Sequence, residues 1–398
     1  MTARTRATGR SAFEIEECPL PAAPAEWDDL AAPTGIGFYS ARTWNLAMLG
    51  QNGAEERVLV VRDAGGTLRA IVPLFRYRDG PANAHLHPGT LFGGADRVTD
   101  EAARRWEPVT VVGNASGYGT APVVNGGLEA WAAAAESEAA AAGAGTAFAA
   151  HLTGPDMTRL RELLPGWPVL LTAMRISVPV HADSEREYEA GLRKRDRDRV
   201  RWERRLLARG GRSVTVEDIT DDNLREIGEL QESTQRRHGS YGDADYFVGR
   251  YRKLKSVLGD ALFAFVCRHE GRALGYFSCI RHGRTLVGRS AGLDYDRIGD
   301  HAEYFNLMIH EPVRYCLRNG LRELDLGVAG YRQKLLRGGE PVPVWSMLLR
   351  PPSGWSDEDA ARHNRAKARE LRDELGPMCP EGLRERLDRI ADAGRAEL

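Results

Sequence analysis

The chain has 398 residues, of which 42% are hydrophobic and 28% charged, and its formal net charge is -1. This length exceeds the size at which one hydrophobic core keeps growing, so two domains are predicted. The charge balance excludes a global attraction to nucleic acid. No apolar run approaches the roughly 20 residues of a membrane helix, and the first residues lack the apolar region of a secretory signal. A cytoplasmic location is therefore expected.

The cysteines are few and scattered, and none stands in a CxxC or Cys/His spacing. Such a pattern predicts neither a disulfide framework nor a zinc site. We expect most of them to be small core hydrophobes. They are Cys18, Cys267, Cys279, Cys316 and Cys379.

The first half of the chain combines a mobile arm with an α/β pattern. Residues 1–30 show no sustained period and are predicted to be mobile. A helix begins at Ser40 or Thr43, and a hairpin follows in which two apolar runs flank the turn 64–66. Residues 83–125 are rich in Gly, Ser and Asn and therefore predict loops. An alanine-rich helix follows from Leu128 to about Ala142.

A strongly basic helix opens the second half. Ser184 and Glu187 form a capping box, which predicts a helix from Glu185 to Gly210-Gly211. Residues 193–212 contain ten basic and three acidic residues. Two interpretations remain open: a solvated helix between domains, or an anion-binding surface. Further helices are predicted at 222–237 and 244–258, followed by a second hairpin.

Residues 303–339 end in a cationic turn. Apolar residues at three- and four-residue steps predict a helix that stops at Asn319-Gly320. Leu321 to Leu326 alternate as a half-buried strand does, and a polar turn follows. A cationic turn at the end of a strand is a candidate site, although solvated surface charges are the simpler interpretation of Lys334 and Arg337. The tail predicts two helices, capped by Ser356 and separated at Gly376-Pro377.

The two hairpins share one pattern, which indicates an internal duplication. RVLVVRDAGGTLRAIVPLF and LFAFVCRHEGRALGYFSCI both consist of an apolar strand, a glycine turn and a second apolar strand. Two similar α/β units in tandem explain this most simply. The predicted organisation is an arm at 1–30, domains at 31–180 and 181–350, and a helical tail at 351–398.

The aromatic helix start FYSARTW, the arginine-rich helix and the segment YFNLMIHEPVRYCLRNGLRELDLGVAGYRQKLLRG resemble the Fem-like branch of the GNAT superfamily. That branch includes the peptidoglycan-type aminoacyl and acyl transferases. Its recurrent Lys-x-x-Arg-Gly turn corresponds to Lys334 through Gly338. The resemblance implies an α/β fold of two tandem GNAT-like domains, each a mixed sheet flanked by helices, and an N-acyl transfer that needs no metal or other cofactor.

One departure from ordinary GNAT enzymes concerns the acyl donor. Acyl-CoA-dependent members present a glycine-rich pyrophosphate loop after their central strand. The matching residues here are 295–301, where Asp300 replaces the second glycine. An acid repels a pyrophosphate, which disfavours acyl-CoA as the donor. Fem-like enzymes that lack this loop commonly take an aminoacyl group from charged tRNA, so the resemblance implies aminoacyl-tRNA as the donor here. Acyl-CoA stays an alternative, as does a non-catalytic protein that binds nucleic acid or peptide.

The basic helix is the expected contact with tRNA, because lysines and arginines bind phosphates and release counterions. Tyr188 and Trp202 could add stacking on bases, although Trp202 is more readily explained by packing of the helix. The candidate tRNA ligands are Arg193, Lys194, Arg195, Arg197, Arg199, Arg201, Arg204 and Arg205.

The expected chemistry requires an oxyanion stabiliser and a base. We predict that Lys334 stabilises the oxyanion with help from Tyr331, and that His301 or Asp325 is the base, with Glu303 a weaker candidate. The acceptor is a small-molecule or peptide amine. Its predicted binding residues are Tyr304, Asn306, Arg332, Arg337, Tyr39, Trp44, Asn114, Ser116 and Tyr118.

Overall fold

The computed structural model describes residues 4–6, 12–31, 35–51, 53–141, 143, 145–239 and 242–398. Its described strands are β1 (Arg4–Arg6), β2 (Phe13–Pro19), β3 (Glu55–Asp63), β4 (Leu68–Tyr77), β5 (Val109–Val112), β6 (Val123–Val124), β7 (Thr146–Thr153), β8 (Val169–Pro179), β9 (Arg212–Asp218), β10 (Leu262–His269), β11 (Arg272–His282), β12 (Thr285–Leu293), β13 (Glu323–Asp325) and β14 (Glu340–Arg350).

The described α-helices are α1 (Trp27–Leu30), α2 (Gly35–Ser40), α3 (Arg42–Ala47), α4 (Pro88–Leu91), α5 (Glu101–Arg104), α6 (Glu129–Ala141), α7 (Gly154–Leu163), α8 (Glu185–Gly191), α9 (Lys194–Arg209), α10 (Asp221–Arg237), α11 (Ala244–Leu258), α12 (Glu303–Phe305), α13 (Glu311–Arg318), α14 (Tyr331–Leu335), α15 (Asp357–Leu375) and α16 (Glu381–Ala393). A π-helical turn, Asn306–His310, joins α12 to α13. Among the described residues, no helix is both long enough and apolar enough to cross a membrane.

The chain divides into two compact units. The first contains Ile36–Arg175, Pro343–Leu398 and the N-terminal strands, and the second contains Ile176–Val342. The predicted boundaries at 180 and 350 lie close to the two crossing points, which fall within β8 and β14. The C-terminal tail belongs to the first unit, because the side chain of Asn364 on α15 bonds the backbone of Val169 and Leu171 in β8.

The first unit is a mixed sheet in the order β1-β2-β3-β4-β5-β7-β14-β8. Its hairpin β3–β4 is antiparallel, as the sequence pattern predicts, and β5 runs parallel to β7. The prediction of a mobile arm at 1–30 is wrong for residues 13–30, since β2 pairs with β3 along its whole length and buries Ile15. Residues 1–3 and 7–11 of that arm lie outside the described residues.

The second unit is a mixed sheet in the order β8-β13-β12-β11-β10-β9. The predicted hairpin β10–β11 is formed, and β12 runs parallel to β13. Each unit therefore contains a hairpin of the predicted pattern and a parallel pair of strands, which agrees with two similar α/β units in tandem. The apolar face of α13 packs on this sheet through Val313 and Cys316.

Two sequence predictions need correction in the second unit. The basic segment is two helices, α8 and α9, because Leu192 is extended with φ -73° and ψ 148°. The break lets Tyr188 and Leu192 approach the backbone of Gly338 closely. The polar turn after β13 contains a short helix, α14. All five cysteines are free and buried, as expected of core residues.

Candidate functional site

A tight turn connects β13 to α14. The Asp325 carboxylate accepts a hydrogen bond from the Gly327 N–H at 2.8 Å. Gly327, Ala329 and Gly330 have φ values of 64°, 65° and 61°. This left-handed conformation suits glycine but strains an alanine by about 1 kcal/mol. The turn is therefore held in a costly shape at the end of a central strand, where such strain often marks function.

Lys334 is the cation at the centre of this turn. Its side chain is only 8% exposed, so it is not a solvated surface charge. Nζ donates to the carbonyl oxygens of Leu326 at 2.7 Å and Val328 at 3.1 Å. An ammonium carries three N–H groups, so one remains for a ligand. Burial lowers the pKa of Lys334 to about 8, although the charge of Asp325 opposes this shift.

Arg337 is buried and engaged within the protein. Its Nε donates to Glu203 Oε2 at 2.9 Å and its Nη2 donates to Glu203 Oε1. Nη1 donates to the Gln333 carbonyl oxygen at 2.8 Å, and the guanidinium lies over the Phe305 ring, 3.2 Å from its centroid. The expectation that Arg337 binds substrate is not supported, because its donors already have these partners.

Glu203 on α9 contacts the π-helical turn and the segment after α14 through its carboxylate and its backbone carbonyl. Besides Arg337, it contacts His310 Nε2 at 2.7 Å, and its carbonyl oxygen accepts from Asn306 Nδ2 at 3.1 Å. Burial raises the pKa of Glu203, but the hydrogen bonds from His310 and Arg337 outweigh burial and leave that pKa below its ordinary value. Burial lowers the pKa of His310 despite its bond to Glu203. Asn306, predicted to bind substrate, is instead buried in this contact.

Sequence reasoning missed Glu203, although a signal was present. It lies three residues after Val200 and four before Leu207, on the buried stripe of a helix whose other faces are basic. An acid at such a position needs a buried cationic partner. The spacing therefore pointed to a buried ion pair, but not to Arg337 as its partner.

The other predicted residues of the second unit lie in different environments. His301 is partly exposed, with Nδ1 3.7 Å from Glu303 Oε1. Asp325 is fully buried beneath the turn and Tyr331 is buried, whereas Tyr304 and Arg332 are exposed. Of the two predicted bases, only His301 reaches the surface.

The predicted residues of the first unit meet around the loop after β5. Trp44 Nε1 donates to Ser116 Oγ at 2.9 Å. The Asn114 side chain bonds the Ser116 N–H at 2.9 Å and the Gly119 carbonyl at 2.8 Å. Tyr39, Trp44, Asn114 and Ser116 are all buried, so they shape the loop and do not line an open cleft. Tyr118 is half-buried, with its ring near those of His85 and His151.

Helix α9 presents a basic surface. Arg201 and Arg204 pair with Glu189 at 2.7 Å and 3.0 Å. Trp202 is 54% exposed, so the prediction that it packs inside is wrong. Tyr188 instead lies against Gly338. Within the described part of the chain, the predicted cations that make no ion pair are Arg193, Lys194, Arg195, Arg197, Arg199 and Arg205.

A second cationic feature was not predicted. Ser278 pairs with Ser290 whereas Cys279 pairs with Gly288, so Arg289 is an extra residue in β12 and forms a β-bulge. Burial, and then the nearby charge of Arg289, lowers the pKa of Arg250 on α11. Arg250 makes no hydrogen bond or ion pair with any described residue. No sequence period signals a bulge, so this pair could not have been found.

A polar network lies beside these arginines. Tyr251 Oη contacts Tyr276 Oη at 3.0 Å and Ser278 Oγ at 2.8 Å. Ser290 Oγ donates to Gln231 Oε1 at 2.9 Å. Such a network can orient a polar ligand. Among the described residues, no group of three or more His, Cys, Asp or Glu side chains is arranged to hold a metal ion.

Comparison with known families supports the Fem-like relationship. Residues 180–369 match the FemAB-like family, described as peptidoglycan biosynthesis/recognition. No curated protein matches the chain significantly. The matched segment contains α9, the Lys-x-x-Arg-Gly turn and the Arg250–Arg289 pair. The resemblance to the Fem-like branch of the GNAT superfamily is thus confirmed.

Solved structures share the fold at low identity. The C-terminal domain of a putative lysylphosphatidylglycerol synthetase from Agrobacterium fabrum has 11% identity and a TM-score of 0.51, over 82% of this chain and 92% of its own. A protein of unknown function from Bacteroides thetaiotaomicron has 14% identity and a TM-score of 0.52, over 81% and 96%. FemX has 13% identity and a TM-score of 0.50, over 77% and 90%. The predicted tandem GNAT-like α/β fold with a helical C-terminus is confirmed.

Proposed function

We propose, from the match of residues 180–369 to the FemAB-like family, that this chain is an N-acyltransferase. It transfers an aminoacyl group from charged tRNA to the amine of an anionic, peptide-type acceptor. The observation that carries the choice of donor is the surface of α9, where unpaired cations surround an exposed tryptophan.

A nucleic-acid donor fits this surface physically. Each cation that neutralises a phosphate releases a counterion, which gives affinity without sequence preference. An exposed indole gives every base a stacking platform. Cations that already hold carboxylates, such as Arg201 and Arg204, contribute less than cations without one, such as Arg195 and Arg205.

Neutralising the unpaired cations of α9 should weaken tRNA binding and its salt dependence together. For Lys194→Ala, Arg195→Ala and Arg205→Ala we expect the slope of log affinity against log salt to become shallower by about 0.7 to 0.9 for each phosphate that is no longer neutralised. Trp202→Ala should weaken binding by about 1 to 3 kcal/mol. Titrations with tRNA at several salt concentrations measure both effects.

Arg252→Ala is the matched control for these variants. Arg252 is exposed on α11 and pairs with Asp221 at 2.8 Å. Its removal should leave the slope unchanged. Equal slopes for the control and the α9 variants would contradict a tRNA contact through α9.

Arg289 at the β12 bulge and the nearby Arg250 on α11 suit an anionic group of the acceptor. A carboxylate or phosphate beside Arg250 and Arg289 would relieve the repulsion between the two guanidiniums and supply a partner for Arg250. Peptides and peptidoglycan-type precursors carry such anions. The family description of residues 180–369 as peptidoglycan biosynthesis/recognition supports an acceptor of this class.

Arg250→Met should raise the KM for the acceptor about 10-fold to 100-fold and change kcat little, because the arginine binds the anion equally in the ground state and the transition state. Steady-state kinetics with a varied acceptor separate the two constants. An acceptor amide or ester that lacks the anion should bind the wild type and the variant alike. A variant that loses kcat at an unchanged KM would exclude this role.

The turn after β13 supplies the chemistry. The acceptor's neutral amine attacks the ester carbonyl of aminoacyl-tRNA, an amide bond forms, the ester bond breaks and the tRNA hydroxyl leaves. The remaining N–H of Lys334 faces the developing oxyanion, and His301 is the candidate that takes the proton from the amine. Arg337 is a positioning residue that holds α14 against Glu203.

Discharge of a labelled aminoacyl-tRNA pool tests the proposed function. We expect label to move from tRNA to an acceptor amine, and RNase treatment beforehand should abolish the transfer. A parallel reaction offers acyl-CoA and measures thiol release. Thiol release without discharge of any charged tRNA would replace the tRNA donor by CoA.

A further inference from the structure

The backbone of the loop between β12 and α12 bonds the side chain of the first residue of α12. Glu303, the first residue of α12, is only 1% exposed. Its Oε1 accepts from the Gly299 N–H at 3.0 Å, and its Oε2 accepts from the His301 N–H at 2.9 Å. Ala302 has φ 60°, a left-handed conformation that brings these N–H groups to one side.

A largely buried cation completes the contact. Arg212, the first residue of β9, has Nε 2.6 Å from Glu303 Oε1, with 11% of its side chain exposed. Arg212 Nη1 also donates to the Gly210 carbonyl at 2.8 Å, which fixes the guanidinium. The carboxylate thus accepts hydrogen bonds from two backbone N–H groups and forms an ion pair with one guanidinium.

This donor set is one that binds phosphate. Convergent backbone N–H groups after a strand and a fixed arginine are the groups that hold phosphoryl oxygens in proteins. Two anions in one low-dielectric pocket repel each other by several kcal/mol, so the Glu303 carboxylate and a phosphate cannot both occupy it.

We propose that the Gly299 and His301 N–H groups and the Arg212 guanidinium form a phosphate site, the cradle, and that the Glu303 carboxylate occupies it as an internal anion. The carboxylate thereby excludes donors that carry a pyrophosphate, such as acyl-CoA. The loop keeps the cradle, and the glutamate blocks it. The sequence pointed to Asp300 as the reason for a degraded loop, but the buried contacts belong to Glu303. This role holds for any donor without a pyrophosphate, and turnover of acyl-CoA by the wild type would contradict it.

Removing the carboxylate should expose the cradle. We expect Glu303→Ala to bind inorganic pyrophosphate and CoA at least about 10-fold more tightly than the wild type, as measured by isothermal titration calorimetry. Glu303→Gln keeps the shape of the side chain and one acceptor oxygen, so it should gain less. Adding Arg212→Ala to Glu303→Ala should abolish the gain, because the guanidinium is removed.

Glu311→Ala is the control for removal of a helix carboxylate. Glu311 pairs with Arg314 at 2.9 Å and does not contact the loop. It should bind pyrophosphate as the wild type does. If Glu303→Ala does not fold, as judged by circular dichroism, Glu303→Gln decides. Equal pyrophosphate binding by the wild type and the folded variant overturns the role of Glu303. Discharge of aminoacyl-tRNA is measured separately, so failure of the tRNA donor leaves this test intact.

Discussion

Lys334→Met is expected to lower the rate of aminoacyl transfer about 10²-fold to 10³-fold, the size of effect measured when one oxyanion donor is removed. Methionine has a similar length, so the turn loses the ammonium and its bonds to Leu326 and Val328 while its packing is kept. Single-turnover transfer from aminoacyl-tRNA measures the decrease, and circular dichroism checks the fold.

Lys367→Met is the control, since Lys367 lies on α15 in the first unit and pairs with Glu370 on the surface. Its transfer rate should match that of the wild type. Unchanged turnover in a folded Lys334→Met protein would contradict a catalytic role and favour the non-catalytic binding protein.

The pKa of Lys334 predicts how its activity depends on pH. Because the folded-state pKa is about 8, the wild-type rate should fall as pH rises through 8 and the cation is deprotonated. The residual rate of Lys334→Met should lack this step. A pH profile of both proteins provides the comparison.

The free energy of unfolding should rise with pH over the range in which the transfer rate falls. The pKa is lowered from 10.5 to about 8, so the unfolded state binds the proton more tightly. The wild-type free energy of unfolding should therefore gain a contribution as pH rises from 8 to 10.5. That gain should be absent from Lys334→Met.

Glu203→Ala is expected to lower the free energy of unfolding by about 3 to 5 kcal/mol, because it leaves the buried Arg337 guanidinium without its carboxylate. His310 and the N–H groups of Arg337 would lose their acceptor as well. Denaturant unfolding measures the change, and transfer activity should fall because Arg337 holds α14, which carries Lys334.

The double variant Glu203→Leu with Arg337→Met separates the effect of an unpaired charge from that of a missing side chain. Replacing both charges by apolar groups of similar volume is often neutral, so most of the stability should return. If Glu203→Ala and the double variant were equally destabilised, packing of α9 would explain the effect and the ion pair would not.

Several features followed from local sequence rules. Helix α11 begins and ends at the predicted Ala244 and Leu258, and Ser184 and Ser356 cap α8 and α15 as expected. Both hairpins form where two apolar runs flank a glycine turn. These rules suffice because periodicity, caps and turn residues act over a few neighbouring positions.

The chemistry of the site was harder to predict from the sequence. The sequence indicated Lys334 as a candidate, but it also predicted Arg337 as a ligand and Trp202 as an internal residue. Which side of α9 is buried depends on the acid at Glu203 and its distant partners. Burial of a charged side chain is set by elements far away in sequence, so local patterns misplace it.

The sequence by itself determined the tandem α/β organisation, the basic helix and the cationic turn, because each is written in neighbouring residues. Only the tertiary structure decided that Arg337 is bound to Glu203, that Arg289 lies at a bulge of β12 near Arg250, and that the Glu303 carboxylate accepts from the Gly299 N–H. The first outcome depends on residues far apart in the chain, the second on a backbone irregularity, and the third on a side chain that bonds the backbone of the preceding loop. Residue spacing encodes none of these.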